Sequence, residues 1–124
     1  MGTIVIDFDA KHPEALYVLS RARELIENED NWVQGPHAVD LDGDPVDSED
    51  PEACAWCAFG ALEAVDEATG VSYLNALELL RKEALRRGYP YIWHLNDDYE
   101  TDHEDVLAAF DAAIEAAMGE GGDE

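Results

Sequence analysis

Two cysteines in a C-x-x-C arrangement, Cys54 and Cys57, are the only thiols in this chain of 124 residues. A cysteine acts as a nucleophile when a histidine lies within hydrogen-bond reach and a further polar side chain orients that histidine. The partners that the sequence offers for this role are His37, His94, His103, Asn96 and Asp97. The catalytic alternative that we take from this set is Cys57, His94 and Asp97.

The cysteines also fit a purely structural role. The apolar pattern predicts a helix from Pro51 to about residue 67, with both cysteines on its buried face, where a packed thiol is the commoner state. Cys57 would lie beyond the first turn of this helix, and the acids Asp50 and Glu52 would raise a thiol pKa. A lone C-x-x-C without histidines at finger spacing does not predict a zinc site. We therefore predict no catalytic residue and no cofactor, and keep the enzyme as an alternative.

Carboxylates in the stretch DLDGD provide a second alternative, a calcium site. Placed on the loop of an EF-hand, Asp40, Asp42, Asp44 and Glu49 would occupy the third, fifth, seventh and twelfth positions. The first ligand of such a loop is missing, and Pro45 follows the third carboxylate. Because a stretch of this kind is more often a solvated turn, we predict no bound metal and keep these four residues as an alternative site.

Charge is the outlying feature of the composition. Thirty acidic residues against seven lysines and arginines give a net charge of −23. No lysine or arginine stands between Glu24 and Leu80 or after Arg87. Such a chain repels nucleic-acid phosphates and anionic membranes, and it attracts basic protein surfaces. The acids expected to contact a basic partner are Asp40, Asp42, Asp44, Asp47, Glu49, Asp97, Asp98, Asp102 and Asp105.

The hydrophobic pattern predicts an α+β fold, mostly α, in which about four helices pack together with a small β-hairpin and an N-terminal strand. One globular domain is expected over residues 1–118, followed by a disordered acidic tail at residues 119–124. The strand is predicted at residues 3–8, and the hairpin turns around Gly43.

The four predicted helices begin near Pro13, Pro51, Ser72 and Thr101. Thr101 and Glu104 form the predicted capping box of the last helix, which runs to about Met118. The aromatic segment at residues 89–100 is predicted to be extended chain. Gly60 lies inside the second helix, where glycine costs about 1 kcal/mol relative to alanine, so we predict that another backbone packs closely against it.

Four short motifs give the chain a family resemblance. They are W-V-Q-G at residues 32–35, D-L-D-G at residues 40–43, W-C-A-F-G-A-L at residues 56–62, and N-D at residues 96–97. Together they resemble a small family of actinobacterial and phage proteins with a domain of unknown function, whose last motif is W-N-D. This chain has H-L-N-D instead, with its tryptophan at Trp93. The resemblance covers residues 13–117 and implies a phage or actinobacterial accessory protein without implying a mechanism.

We therefore expect a non-enzymatic acidic interaction protein whose partner presents a basic protein surface. A nucleic-acid-binding protein would be such a partner, and the acids would then act as a nucleic-acid mimic or inhibitor. We expect no direct binding of nucleic acid or membrane, and a cytoplasmic location, because the first ten residues lack the pattern of a secretory signal. Two alternatives stay open. One is a cysteine-dependent hydrolase-like enzyme using Cys57 with a histidine, and the other is an acidic domain whose charge serves only solubility or high-salt adaptation.

Overall fold

The computed structural model describes residue 6 and residues 9–119. Within this part of the chain, the helices are α1 (Pro13–Ile26), α2 (Ala58–Thr69), α3 (Leu74–Arg86), α4 (Ile92–Asp97) and α5 (His103–Met118), and the strands are β1 (Ala38–Val39), β2 (Pro45–Val46) and β3 (Ala55–Trp56). The predicted α+β architecture, mostly α, is confirmed. The strand predicted at residues 3–8 and the tail beyond Gly119 lie outside the described residues, apart from residue 6.

The core lies between α1 and the three other long helices. Apolar side chains at three- and four-residue steps place one face of each helix inward, and α1 packs against α2, α3 and α5. The largest fully buried apolar side chains of this core are Phe110, Leu19, Ile26, Leu62, Leu80, Ile92, Val18 and Val106. Each contributes about 1.5–3 kcal/mol relative to an exposed position. Among the described residues, none of the helices combines the length and the apolar character that crossing a bilayer requires.

A three-stranded antiparallel sheet lies beside the helices, in the order β2-β1-β3. Ala38 pairs with Val46 on one side and with Trp56 on the other. The turn between β1 and β2 contains Gly43 at φ +83°, a conformation that glycine adopts without strain. The predicted hairpin around Gly43 is therefore confirmed, and the third strand was not predicted.

The predicted start of the second helix at Pro51 is wrong, because it lies seven residues too early. Helix α2 begins at Ala58, because residues 55–56 form the third strand of the sheet instead. Cys57 is the N-cap of α2, and Cys54 precedes β3, so neither cysteine lies inside a helix. The pairing with β1 outweighs the local helix-start signal of a proline after a polar residue.

Another backbone packs closely against Gly60, as predicted, and it belongs to the segment directly before β1. A Cβ atom added at Gly60 would overlap the carbonyl oxygen and carbon of His37. The same carbonyl oxygen accepts a hydrogen bond from the Cys57 N–H at 3.1 Å. The first turn of α2 is thus pressed against the segment that leads into β1.

Two predictions for the C-terminal third are wrong in detail. Residues 92–97 form α4 rather than extended chain. The capping box of α5 uses Asp102 and Asp105 rather than Thr101 and Glu104: each aspartate side chain accepts the other's backbone N–H, at 3.0 and 3.1 Å. Aspartate caps a helix at least as well as threonine, and the shift by one residue leaves Thr101 buried. The predicted end of this helix at Met118 is confirmed.

Candidate functional site

Asn96 is fully buried near the end of α4, and its amide group makes four hydrogen bonds. Its Oδ1 accepts from Trp32 Nε1 at 2.7 Å and from the Ala58 backbone N–H at 3.0 Å. Its Nδ2 donates to the Val33 carbonyl at 3.1 Å and to Asp97 Oδ1 at 2.8 Å. Since a side-chain amide offers two donors and one acceptor oxygen with two lone pairs, its hydrogen-bonding capacity is used completely.

The loop before β1 is held against the same point. The Gln34 Nε2 lies 3.0, 2.9 and 3.3 Å from the carbonyl oxygens of Asn96, Asp98 and Thr101. The Gly35 N–H donates to Asp97 Oδ1 at 2.9 Å. We call this set of contacts the Asn96 junction; its residues are Trp32, Gln34, Gly35, Ala58, Asn96 and Asp97. The junction fixes three segments distant in sequence: the loop before β1, the start of α2 and the end of α4.

Three of the four motifs that carry the family resemblance meet in this junction. W-V-Q-G supplies an indole, an amide and a backbone N–H, and N-D supplies the central amide and a carboxylate. W-C-A-F-G-A-L supplies the first turn of α2. The fourth motif, D-L-D-G, forms the turn of the hairpin.

Cys57 has a thiol that is capped and buried. Its side chain is 3% exposed, and its Sγ accepts a hydrogen bond from the Gly60 N–H at 3.2 Å. Burial raises the pKa of this thiol from 9.0 to about 11; the nearby charges of Asp97 and Glu63 also raise it, against the lowering effect of the backbone N–H groups of Gly60 and Phe59. At neutral pH the sulfur is therefore protonated and a poor nucleophile.

A pocket of about 340 Å³ opens above this thiol. Its lining residues are Gly35, His37, Cys57, Phe59, Trp93 and Asp97, and we call it the Cys57 pocket. His37 Nδ1 contacts Glu63 Oε1 at 2.8 Å, and the same oxygen accepts a hydrogen bond from the Ser48 hydroxyl at 2.7 Å. An ionised carboxylate can only accept, so Nδ1 carries the proton in this contact.

The catalytic alternative is brought together only in part. Cys57 and Asp97 line one pocket, but the histidine beside them is His37. His94 is exposed and contacts the rings of Tyr91 and Trp93. His103 is buried, and its Nε2 lies 2.6 Å from the Ile26 carbonyl. The protonated thiol does not favour a cysteine-dependent reaction here.

The nine predicted partner-binding acids fall into two groups. Five accept hydrogen bonds from the fold itself: Asp40, Asp97, Asp98, Asp102 and Asp105. Asp98 illustrates the group, because the Glu100 N–H and the Tyr89 hydroxyl lower the pKa of its carboxyl. Among the described residues, the other four acids have no side-chain hydrogen bond or ion pair; they are Asp42, Asp44, Asp47 and Glu49. We call residues 40–50 the acidic hairpin, and these four its unpaired acids.

The two predicted acidic clusters approach each other through the segment before β1. His37 lines the Cys57 pocket together with Asp97, and it also lines a shallow cleft with Asp47 and Glu49. The cleft has a volume of about 430 Å³. The clusters therefore lie on neighbouring sides of His37.

The calcium alternative is only partly assembled. Within the described part of the chain, Asp40, Asp42 and Asp44 are the one set whose candidate ligand atoms all lie within 4.8 Å of one another, and Glu49 does not join them. Asp40 Oδ1 already accepts the backbone N–H groups of Asp42 and Asp44, at 2.9 and 3.0 Å. Calcium requires six to eight oxygen ligands, and this turn offers fewer.

A larger groove of about 580 Å³ lies between α1, α2 and the end of the acidic hairpin. Its apolar lining consists of Leu25, Trp56, Ala64, Val65 and Ala68, and its carboxylates are Glu24, Glu49, Asp50 and Glu67. Among the described residues, Arg21 is the one lysine or arginine that lines it, and Arg21 Nη1 lies 3.8 Å from Glu24 Oε1. We call this feature the interhelical groove. It joins an apolar floor to the charge of the hairpin.

Fold and site together define a small, mostly helical α+β domain built around a buried amide. Residues 10–116 match a family of unknown function (DUF6197), and the chain belongs to this family. No match to a curated protein or to a solved structure was found. The predicted resemblance to a family of unknown function is thereby confirmed, and the family itself assigns no reaction, ligand or partner.

Sequence reasoning missed two residues that line the Cys57 pocket, Phe59 and Trp93, and it missed Glu63, which contacts His37 of the same lining. Trp93 was mentioned only in the motif comparison, and neither Phe59 nor Glu63 was considered for the site. Phe59 lies off the buried face of the predicted helix that carries both cysteines, and an aromatic residue in such a position is a usable signal for a pocket wall. The contact between His37 and Glu63 depends on the position of α2 against β1, which no local pattern encodes.

Proposed function

We propose that this protein is a non-enzymatic interaction protein that binds a basic protein surface through the acidic hairpin and the interhelical groove. The observation that carries this proposal is the groove, in which four carboxylates surround an apolar floor. Glu49 and Asp50 belong to both features, so the hairpin and the groove form one continuous surface.

Charge distribution supports the proposal. The lysines and arginines of the chain lie on α1 and α3, directly after α3 and in the segment before α1, and most form an ion pair with a neighbouring acid. Arg23 contacts Asp111 at 2.6 Å, and Arg86 contacts Glu83 at 3.1 Å. The hairpin and the loops around it contain no lysine or arginine. No lysine or arginine in this region therefore offsets the negative electrostatic potential of the unpaired acids. This potential accelerates the approach of a basic partner, and salt screens it.

The apolar floor of the interhelical groove can add affinity and specificity that a charged surface alone does not provide. Surface ion pairs contribute about 0–1 kcal/mol each, so carboxylates by themselves give weak and unspecific binding. An apolar or aromatic anchor residue of the partner, inserted against Trp56 and Val65, would supply most of the affinity. The surrounding carboxylates would then select partners whose anchor is flanked by lysine or arginine.

The proposed partner class is a nucleic-acid-binding protein, since its basic surface is already shaped to meet spaced negative charges. The acidic hairpin would occupy that surface in place of phosphates and so inhibit it. As part of the same proposal, the protein acts in the cytoplasm as a phage-related accessory protein.

A defined probe tests the proposal. The probe is a synthetic helical peptide carrying leucine on one face and lysine on the flanks, and its control replaces leucine with serine at equal charge. Calorimetric titration should show that the leucine peptide binds at least about tenfold more tightly than the serine peptide. Its affinity should fall as salt rises from about 0.05 to 0.5 M.

Two variants of equal charge locate the surface. Asp42→Asn, Asp44→Asn and Asp47→Asn together should weaken binding of the leucine peptide. Neutralising Glu14, Glu104 and Glu115, which lie on exposed positions of α1 and α5, should leave it nearly unchanged. Equal losses in both triple variants would mean that only net charge attracts the peptide, and the solubility alternative would then replace the proposal. Affinity purification from a host lysate over the same salt range would identify the natural partner.

A further inference from the structure

The Cys57 pocket has aromatic walls. The Phe59 ring stands nearly perpendicular to the His37 ring, at 5.2 Å and 82°, and to the Trp93 ring, at 5.6 Å and 73°. Tyr91 stacks on Trp93 at 4.6 Å and 9° and supports that indole from one side. Aromatic faces carry partial negative charge, and tryptophan attracts cations most strongly of the three aromatic residue types.

A carboxylate stands at the mouth of this pocket. Asp97 is exposed, and its Oδ1 receives both hydrogen bonds from the Asn96 junction. Its Oδ2 accepts no hydrogen bond from the described residues. Glu63 lies behind His37 and adds a second negative charge. Among the described residues, no lysine or arginine lines the pocket; Arg81 lies 5.3 Å from the centroid of the Tyr91 ring, and neither of these two residues belongs to the lining. The electrostatic environment therefore favours a positively charged ligand.

Other ligand classes fit less well. The first turn of α2 points toward the pocket, but its N–H groups at residues 58 and 60 already donate to Asn96 Oδ1 and Cys57 Sγ, and the Phe59 N–H also acts on that sulfur. An anion in the pocket would in addition be repelled by the Asp97 carboxylate in its lining. A neutral apolar ligand would strip water from the Asp97 carboxylate without compensation. Among the described residues, the candidate metal-ligand atoms around the pocket do not converge, since the one set within 4.8 Å lies in the hairpin turn.

We propose that the Cys57 pocket binds an alkylammonium group, with its positive charge against the aromatic walls and beside Asp97. The volume of about 340 Å³ lies at the small end of ligand pockets, which span about 300–1,000 Å³. The group could be a free quaternary ammonium compound or the methylated side chain of a lysine, because both present the same charged methyl surface. This inference does not rest on partner binding by the acidic hairpin.

The first test compares two ligands of equal shape on the unaltered protein. Choline carries the charge, and 3,3-dimethylbutan-1-ol replaces its nitrogen with carbon. Proton NMR should show a saturable upfield shift of the choline methyl signal, since these protons would lie over aromatic faces. Choline should bind at least about tenfold more tightly than its carbon analogue. Equal affinities would show that the pocket is merely apolar and would overturn the proposal.

Two substitutions test the position of the site. Asp97→Asn removes the charge but keeps an Oδ1 that accepts from Gly35 and Asn96, so the junction is preserved. Trp93→Leu removes the strongest aromatic wall. Each should weaken choline binding by about tenfold. The triple variant Asp42→Asn, Asp44→Asn and Asp47→Asn should leave the affinity within about twofold, because those acids lie outside the pocket. A loss as large in the triple variant as in Asp97→Asn would reduce the effect to net charge and end the proposal.

A final comparison identifies the source of the ammonium group. A short glycine-serine peptide with one trimethyllysine is titrated beside choline and beside the same peptide with unmodified lysine. Tighter binding of the trimethyllysine peptide assigns a protein-borne ligand, and tighter binding of choline assigns a free small molecule. Failure of all three to bind refutes the site, whatever the hairpin does with basic peptides.

Discussion

The Asn96 junction and the acidic hairpin lie on neighbouring sides of His37, and they use polar side chains in opposite ways. In the junction, one buried amide and one carboxylate oxygen take part in five hydrogen bonds, four of which join different segments of the chain. In the hairpin, four carboxylates have no partner among the described residues. The junction therefore stabilises the fold, whereas the hairpin leaves its charge available to other molecules.

Acidic residues that contribute equally to the net charge have different structural roles in the junction and in the hairpin. Asp97 and Asp44 are both exposed and count equally toward the net charge. The Asp97 carboxylate accepts hydrogen bonds from Gly35 and Asn96, whereas the Asp44 carboxylate accepts none from the described residues. Asp102 and Asp105 belong with Asp97, because each caps the backbone of α5. Substitutions should therefore change stability on the junction side and binding on the hairpin side.

The largest expected effect is that of Asn96→Ala. It leaves the Trp32 Nε1–H and the Ala58 N–H without an acceptor in a buried site, and each unsatisfied donor costs about 1–3 kcal/mol. We expect a loss of about 3–5 kcal/mol in the free energy of unfolding, measured by urea denaturation. Trp32→Phe should lower the free energy of unfolding clearly less, because it removes the indole N–H itself and so leaves no buried donor without an acceptor. A loss below about 1 kcal/mol for Asn96→Ala would contradict the central place of the junction.

A smaller effect is expected from the thiol of Cys57. Its pKa is about 11 in the folded protein and 9.0 in an ordinary environment, so the folded state binds more protons between these values. Stability is thus fully present below about pH 9 and falls as the pH rises toward 11, by on the order of 2 kcal/mol. The measurement is the urea midpoint from pH 8 to 11 under reducing conditions.

The control for this prediction is Cys57→Ala, which removes the ionisable group and leaves the other alkaline titrations in place. The difference between the two pH profiles isolates the thiol. Parallel profiles would show that the pKa of the Cys57 thiol is the same in the folded and the unfolded protein. The nucleophile alternative would then regain support.

Gly60→Ala should destabilise the protein by about 1–3 kcal/mol, the usual cost of overpacking. The direction of this stability change is informative, because glycine to alanine in a free helix stabilises the helix by about 1 kcal/mol. A new Cβ would meet the His37 carbonyl, which also accepts from Cys57. Thermal denaturation gives the result, with Ala68→Gly on the exposed side of α2 as a control that should lose only the helix propensity. A stabilised Gly60→Ala would place the His37 backbone farther from α2.

Local patterns predicted the long helices and the hairpin, because each depends on spacing and turn chemistry within a few residues. The close approach at Gly60 was also predictable, since a glycine inside an apolar helix needs a reason. The start of α2 was not, because Pro51 provides a valid helix start and only pairing with β1 overrules it. The Asn96 junction was recognised as motifs but not as a contact, since the segments that it joins are 38 to 64 positions apart in sequence.

The smallest expected effect is on the hairpin. Asp42→Asn with Asp44→Asn should change the free energy of unfolding by no more than about 0.5 kcal/mol, since both side chains are exposed and unpaired. Relief of repulsion between neighbouring carboxylates should, if anything, slightly increase the free energy of unfolding.

Millimolar calcium should likewise leave the melting temperature nearly unchanged, because the turn offers too few ligands. A rise of several degrees at micromolar free calcium, abolished by Asp42→Asn, would reveal a metal site. The hairpin would then have a structural role of its own, and its difference from the junction would disappear in the metal-bound state.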